Sequence, residues 1–420
     1  MSFEKEKNRL YKPLINKASE RFLFLILYKF MSEESINYID ENLKEKGFYI
    51  YPEDRFRNVL QRYEKNSDGL SIYLKEVVRK IENHAIDKYK ELFRNFNLFD
   101  FKNKDQELKL NEKIIKDMQD LNSNYEAKFN FAEAYEYLVA YYSHFEQIPY
   151  CPEVSELSSR LALLKNSEIQ TVCDPLCDFG STLLEFQKIW KQFNPNRELK
   201  MFGRTSSPSA YKHCLGNMLL NKINHDNLSI DLGILNPIEK TKFDVIVANL
   251  YRSLRKEDEI SFFKYCMNNL SEDGVAVITY LRDISLEARK YLVKNNYVEC
   301  VMQFVYWPNQ LSGGVRDLII LRKNKKSNQT LFINAKSSGE YIKNEMLMDL
   351  RSAHKISLQK KLVLTEKIIN RLIEIYTQNK NISGVAKLVD NSKIIRKNYR
   401  LSVLHYVSIA YSYPCWYSNL

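Results

Sequence analysis

The chain has 420 residues, 45% of them apolar and 27% charged, which is typical of a globular protein of two or three domains and excludes a disordered chain or a mini-protein. Basic residues outnumber acidic ones by 63 to 52, a formal net charge of +11, and the excess lies toward the C-terminal end. A polyanion such as nucleic acid is the usual partner of such an asymmetry, although a codon bias toward lysine explains the excess equally well.

Glycine is scarce and cysteine follows no metal-binding pattern. The chain holds 11 glycines, against roughly 29 at ordinary usage. Cys173 and Cys177 are predicted to be buried thiols, and no metal is expected. No signal peptide opens the chain, and its longest apolar run, residues 22–30, is far below the ~20 residues of a membrane span. We therefore expect a cytoplasmic, reduced protein with no membrane partner.

The sequence pattern of the N-terminal part predicts helices. Between residues 4 and 121 the apolar side chains recur mostly at helical spacing, which predicts a helical domain over residues 1–125. The clearest example is the set Ile72, Leu74, Val77, Val78 and Ile81. Residues 132–144 continue as a helix, whose tyrosines, such as Tyr135, are predicted to pack in the core and not to stack on bases.

The pattern changes after Pro149 to strands alternating with helices. Helices are predicted at 153–164, 181–190, 209–223, 259–270 and 286–295, and strands at 170–173, 199–203, 243–248, 274–281, 297–304 and 317–321. Such alternation indicates an α/β domain around a parallel sheet, over residues 126–335. Residues 336–420 form a basic, mainly helical segment, with a helix that Thr365 caps and a basic stretch at 393–400.

Two loops of this α/β domain carry candidate chemistry. Ligands of such sheets bind beyond the carboxyl ends of the strands. Asp174 ends the first strand, and a turn bearing Gly180 then enters a helix, where backbone N–H groups can hold an anionic group. Asn249 and Tyr251 follow the strand at 243–248, where an amide and an aromatic ring can bind a planar base. Taken alone, the first signal is weak, and an ordinary loop is the favoured interpretation of the second.

Taken together and in order, these residues resemble the modification subunit of type I restriction-modification systems, an N6-adenine DNA methyltransferase that uses S-adenosylmethionine. The resemblance covers nearly the whole chain and rests on linked matches at 22–32, Arg55, 135–138, 150–157, 174–177, 217–220, 243–246, Asn249 and 331–335. It implies a helical N-terminal domain followed by a Rossmann-like methyltransferase domain. It also implies cofactor-binding roles for Tyr150, Pro152, Asp174, Pro175, Gly180 and Ser181, and catalytic roles for Asn249 and Tyr251.

The chain departs from the family pattern at its cofactor motifs. Where the family has D-P-x-C-G-S-G, the first glycine is Asp178 and the serine is Phe179, so that only Gly180 survives. An aspartate there adds bulk and negative charge close to the cofactor carboxylate. The acid that holds the ribose hydroxyls aligns with Thr205, and the acid near the cofactor adenine is lost from the segment 233–235.

The catalytic motif departs as well. The family's N-P-P-Y/F becomes Asn249-Leu-Tyr-Arg252, which lacks the prolines that fix the loop and places the aromatic ring one position early, at Tyr251. Losing one such positioned contact costs about 100-fold in rate. The sequence therefore predicts a degenerate modification subunit with weak or no catalysis.

Two alternatives remain, an active adenine-N6 DNA methyltransferase and a non-catalytic protein that binds restriction-modification subunits or DNA. The partners that the resemblance implies are DNA, a specificity subunit and a second modification subunit.

Overall fold

The computed structural model describes residues 17, 19–94, 97–123, 130–143, 152–164, 168–205, 207–233, 241–250, 254–280, 283–306, 315–335, 341–343, 360–362 and 364–407. The chain forms two compact units. The helical unit comprises Met1–Glu146, Asp178–Ser181 and Thr205–Leu232. The sheet unit comprises Gln147–Cys177, Thr182–Arg204 and Gly233–Leu420.

The helices and strands alternate much as the sequence predicts. The helices are α1 (Glu20–Glu34), α2 (Ile39–Lys46), α3 (Phe56–Tyr63), α4 (Leu70–His84), α5 (Asp87–Phe93), α6 (Lys104–Ser123), α7 (Phe131–Ser143), α8 (Pro152–Leu163), α9 (Ser181–Phe193), α10 (Pro208–Leu220), α11 (Lys256–Asn269), α12 (Leu286–Lys294), α13 (Glu366–Gln378) and α14 (Asn391–Arg396). The strands are β1 (Thr171–Asp174), β2 (Lys200–Thr205), β3 (Leu228–Leu232), β4 (Phe243–Leu250), β5 (Leu270–Tyr280), β6 (Val298–Tyr306), β7 (Val315–Arg322), β8 (Gln329–Asn334), β9 (Tyr341–Lys343), β10 (Lys360–Leu362) and β11 (Ala386–Asp390).

Helix α1 is the central helix of the helical unit. Ser19 caps it, because its hydroxyl accepts a hydrogen bond from the backbone N–H of Phe22. Residues 22–32 are all buried, so the longest apolar run of the chain forms a core helix. No helix in the described ranges is both long and apolar enough to cross a membrane.

Helix α4 confirms the helical spacing except at one position. Leu74, Val77, Val78 and Ile81 are buried, at positions i, i+3, i+4 and i+7 of one face. Ile72 was predicted to share this face, and that prediction is wrong, since its side chain is 54% exposed. It lies two residues before Leu74, which places it on the opposite side of the helix.

The strands of the sheet unit lie in the order β11-β8-β6-β7-β5-β4-β1-β2. The pairs β2-β1, β1-β4, β4-β5 and β6-β8 are parallel, as the sequence predicts. Strand β7 departs from the predicted parallel sheet, because it is antiparallel to both β5 and β6. The connection between Tyr306 and Val315 has too few residues for the crossover that a parallel pair requires, so β7 runs antiparallel to β6. Strand β11, which the sequence analysis missed, pairs antiparallel with β8.

One continuous apolar cluster covers a face of this sheet. Strands β4, β5, β7 and β8 contribute to it together with α11, α12 and the segment 401–407. The ring of Tyr406 lies on that of Phe332, with centroids 4.3 Å apart. This packing fixes the strands so that Asp174 and Asn249 lie at the carboxyl ends of β1 and β4, which are adjacent and parallel.

Candidate functional site

Asn249 lies within β4 itself and not in the loop after it. It pairs in register with Thr279 of β5, and the residue is only 9% exposed. Its amide nitrogen donates to the hydroxyl oxygens of Thr182, at 2.9 Å, and Ser155, at 3.2 Å. Its amide oxygen accepts from the Thr279 hydroxyl at 2.5 Å. Both donors of the amide and its oxygen are therefore bonded to hydroxyl groups of the same unit.

Asp174 ends β1 and is 1% exposed. Its Oδ1 accepts a hydrogen bond from the backbone N–H of Leu176 at 3.0 Å, the usual way in which an aspartate starts a turn. Pro175, the next residue, is buried in the turn. Burial, reinforced by the negative charge of Asp174, raises the pKa of the neighbouring Cys173 thiol well above its ordinary value. Cys173 and Cys177 are both buried, as predicted.

A buried cation lies beside these groups. Arg204, on β2, is 5% exposed, and its backbone oxygen accepts from the N–H of Cys177 at 2.9 Å. Its guanidinium reaches the backbone oxygen of Gly233, at 3.5 Å. Its positive charge opposes the rise that burial causes in the pKa of Tyr265. Sequence analysis missed Arg204 because an arginine in a short strand gives no sign that it is buried.

The segment Asp178–Ser181 belongs to the helical unit and packs on α10. The Phe179 ring meets that of His213 edge-on, with centroids 5.7 Å apart, and its backbone oxygen accepts from the Asn217 amide at 3.1 Å. Asp178 and Gly180 both have positive φ, 43° and 81°. Glycine adopts this conformation readily, whereas a residue with a Cβ is strained in it.

Gly180 owes its place to close packing within the helical unit. A Cβ atom on Gly180 would lie 2.6 Å from Cε of Met218 and 2.9 Å from Sγ of Cys214. Both side chains come from α10. Side chains of α10 thus occupy the side of Gly180 on which a Cβ would stand.

Two further buried polar groups, His213 and Thr205, belong to the helical unit. Burial, together with the positive charge of Lys212, lowers the pKa of His213 to about 4. Its Nδ1 lies 3.1 Å from the hydroxyl of Tyr135, which is itself buried as predicted. Thr205, the end of β2, is fully buried, and its hydroxyl has no hydrogen-bond partner among the described residues.

The remaining sequence-predicted site residues are placed as follows. Ser181 is the first residue of α9 and is half-buried, and Pro152 is the first residue of α8. Tyr150 and Tyr251 lie outside the described residues. The described part of the chain contains no group of three or more potential metal ligands.

Comparison with known proteins identifies the family. Residues 126–262 and 253–412 match the family described as N-6 DNA methylase, which is more than half of the chain. The methylase subunit of the type I restriction enzyme MpnII of Mycoplasma pneumoniae is 23% identical over 430 residues, 88% of this chain and 76% of that protein. The methylase subunit of the type I restriction enzyme MjaVIII of Methanocaldococcus jannaschii is 27% identical over 327 residues. That match covers 66% of this chain and about half, 53%, of the relative.

A solved structure shows the same fold. The methyltransferase subunit of the type I restriction-modification system of Streptococcus thermophilus superposes with a TM-score of 0.77 at 18% identity. The superposition covers 96% of this chain and 99% of that one. The predicted resemblance and fold class are confirmed. The chain belongs to the N-6 DNA methylase family, and its fold is that of an S-adenosylmethionine-dependent methyltransferase with a helical N-terminal region.

Proposed function

We propose that this chain is a modification-type subunit of a type I restriction-modification system that has lost methyl transfer and acts by binding its partners or DNA. The observation that carries the proposal is the bonding of Asn249. Methyl transfer to an adenine amino group needs an amide oxygen that is positioned to accept from it. Here Thr279 takes one of the two lone pairs of that oxygen, and both amide hydrogens are held by Thr182 and Ser155, so these three hydroxyl groups and not an adenine set the orientation of the amide.

The residues present do not fit S-adenosylmethionine. At the end of β2, Thr205 stands where the family has an acidic residue. Its buried hydroxyl has no hydrogen-bond partner among the described residues. The residue before it is a buried arginine. Within the helical unit, Met218 and Cys214 occupy the side of Gly180 on which a Cβ would stand. We therefore derive no step of a reaction through the cofactor.

A non-catalytic subunit would still have binding surfaces for its partners. The M. pneumoniae and M. jannaschii relatives are named as methylase subunits of type I restriction enzymes. A chain that keeps this fold while losing transfer would still present the surfaces with which a modification subunit meets DNA, a specificity subunit and a second modification subunit. The active methyltransferase is the competing function, and the interaction protein without a type I assembly is the third.

Calorimetric titration with S-adenosylmethionine separates the first two functions. We expect no saturable heat from the full chain, while a catalytically competent modification subunit titrated in parallel binds. Saturable binding of S-adenosylmethionine at micromolar concentration would overturn the proposal that methyl transfer is lost.

A rescue variant distinguishes erosion of the motif from loss of the pocket. The double change Asp178→Gly and Thr205→Glu restores the two family residues that the sequence lacks. Recovery of cofactor binding would locate the loss at these two positions. Continued failure is the expected result, because Met218 and Cys214 still pack at the Cβ position of Gly180 and the bonding of Asn249 is unchanged.

Co-expression with a specificity subunit separates an assembly role from an independent protein. We expect the two chains to elute together on size exclusion. Elution of this chain alone, at every ratio tested, would favour the third function.

A further inference from the structure

The turn from α1 into α2 presents apolar side chains on the surface of the helical unit. Tyr38 is 71% exposed, and Ile36 and Ile39 beside it are exposed as well. Single apolar residues on a surface are ordinary, whereas these three lie within four positions of the chain. An exposed tyrosine is among the side chains that most often anchor a protein–protein interface, so this turn is a candidate docking surface.

Hydrogen bonds hold this turn in one conformation. The side chain of Asn42, which is fully buried, donates to the backbone oxygens of Ile36 at 2.9 Å and Tyr38 at 3.0 Å. Its amide oxygen accepts from the backbone N–H of Ile36 at 3.2 Å. Arg55 donates to the backbone oxygen of Ile36 and to the side-chain oxygen of Asn37, both at 3.0 Å. Because these bonds order the turn in advance, a partner that contacts Tyr38 loses little affinity to ordering it.

The surface beside the turn is acidic. Asp40 and Glu41 lie in the first turn of α2, and both are exposed. Neither makes an ion pair with a described residue. The basic residues of α2, Lys44 and Lys46, lie in its last turn, and Lys46 pairs with Glu34. We define the acidic surface as Ile36, Tyr38, Ile39, Asp40 and Glu41.

A surface of opposite charge lies in the sheet unit, on α14 and the segment that follows it. Ile395 and Leu404 are 42% and 44% exposed. The Nζ of Lys397 donates to the backbone oxygen of His405 at 2.9 Å, which ties the end of α14 to the residue after Leu404. Exposed basic side chains flank Ile395 in the sequence. We define the basic surface as Lys393, Ile395, Arg396, Lys397 and Leu404.

Core packing fixes the basic surface as well. The side chain of Asp390 caps α14 by accepting from the backbone N–H of Ser392 at 2.8 Å. Val403 and Tyr406, on either side of Leu404, are buried, and the Tyr406 ring lies on that of Phe332. Both surfaces are therefore ordered before any partner arrives.

The two surfaces complement one another in charge and in apolar character. Contact between them would bury apolar side chains and bring charges of opposite sign together. A polyanion such as nucleic acid would use the basic surface alone and leave the acidic one without a partner. We propose that the acidic surface of one copy of this chain docks on the basic surface of a second copy. This contact does not depend on whether methyl transfer is lost, and it needs no specificity subunit.

Sedimentation equilibrium of the full chain, after nuclease treatment, tests the proposal. Small interfaces are transient, so we expect the average mass to rise above the 49.8 kDa of one chain only as the concentration approaches about 100 µM. Salt at about 1 M should weaken the association, because the charges are exposed. Association that nuclease treatment abolishes would overturn the proposal and indicate a nucleic-acid bridge.

Substitutions of exposed residues change one surface at a time without touching the core. Tyr38→Ala removes the aromatic ring of the acidic surface, and Lys393→Glu with Arg396→Glu reverses the basic one. Each change is expected to weaken association by about 10-fold or more.

Matched controls have the same chemistry elsewhere. Phe193→Ala removes an aromatic ring that is 74% exposed on α9, outside both surfaces. Lys65→Glu with Lys109→Glu reverses two exposed charges of the helical unit, also outside both surfaces. We expect neither control to change the association.

A mixture of the two surface variants gives the sharpest result. The Tyr38→Ala chain keeps its basic surface, and the charge-reversed chain keeps its acidic surface. At a concentration where each is monomeric alone, the equimolar mixture should form pairs and no larger species, because each pair has used its intact surfaces. An unchanged chain that stays monomeric at every concentration, variants that associate as strongly as the unchanged chain, or a mixture that stays monomeric would each overturn the proposal.

Discussion

The Asn249 cluster of the sheet unit and the Phe179–Gly180 segment of the helical unit lie at the two motifs for which the family resemblance predicts catalytic and cofactor-binding roles. At both positions the contacts come from side chains of the same protein, but the interactions differ. Hydroxyl groups bond Asn249, whereas side-chain carbon and sulfur atoms pack against Gly180. A hydrogen bond is worth about 1 kcal/mol net and can be exchanged for another. Close packing has no such exchange, so a substitution at Gly180 is expected to disturb the structure more than one at Asn249.

The largest effect is expected at Gly180. Gly180→Ala puts a Cβ at positive φ and 2.6 Å from Met218, and we expect it to lower the free energy of unfolding by about 3 kcal/mol. Urea denaturation measures the change. Gly69→Ala is the matched control, since Gly69 also has positive φ but nothing lies within 4 Å of its Cβ position. We expect the control to cost about 1 kcal/mol, and equal costs at the two positions would contradict the packing account.

Acid should weaken the helical unit next most strongly. The pKa of His213 is lowered from 6.5 to about 4, so the unfolded chain binds the proton more readily than the folded chain. This contribution to stability is therefore full above pH 6.5 and falls as the pH drops toward 4. We expect a loss of about 2 kcal/mol by pH 5.

Urea midpoints at a series of pH values measure this loss, with His213→Gln as the variant that should flatten the dependence. A His213→Gln variant whose stability falls between pH 7 and pH 5 as steeply as that of the unchanged chain would contradict the assignment to His213.

The smallest effect concerns the hydrogen bonds of Asn249. Thr279→Val removes the donor to its amide oxygen and should cost about 1 kcal/mol. In a double-mutant cycle with Asn249→Ala, the two changes should be non-additive by about 1 kcal/mol, because they remove one interaction. Thermal or urea unfolding of the four proteins gives the coupling. Additive costs would mean that the two side chains do not act as a bonded pair.

Sequence patterns predicted the parts of the fold that depend on local order. The alternation of strands and helices, the cap at Thr365 and the buried face of α4 follow from periodicity and are confirmed. Strands β3 and β11 were missed, since each is only five residues long and gives too short a pattern to recognise. The antiparallel direction of β7 was not predicted, because direction depends on the connection, which periodicity does not describe.

The candidate site was predictable only in part. Motif positions located Asp174, Gly180 and Asn249, because the family pattern marks them. The partners of Asn249 come from α8, α9 and β5, far apart in the sequence. Serine and threonine at those positions carry no pattern, so only the register of β4 with β5 and the packing of the two helices brings them together. The same holds for Arg204, whose burial depends on its neighbours.

The central claim, that methyl transfer is lost, is tested most directly by transfer of labelled methyl groups from S-adenosylmethionine to DNA. The chain is assembled with a specificity subunit, and a competent modification subunit with its own specificity subunit provides the positive control. We predict no incorporation above that of a reaction without protein, for the unchanged chain and for Asn249→Ala alike. Incorporation that the unchanged chain supports and Asn249→Ala abolishes would contradict the account.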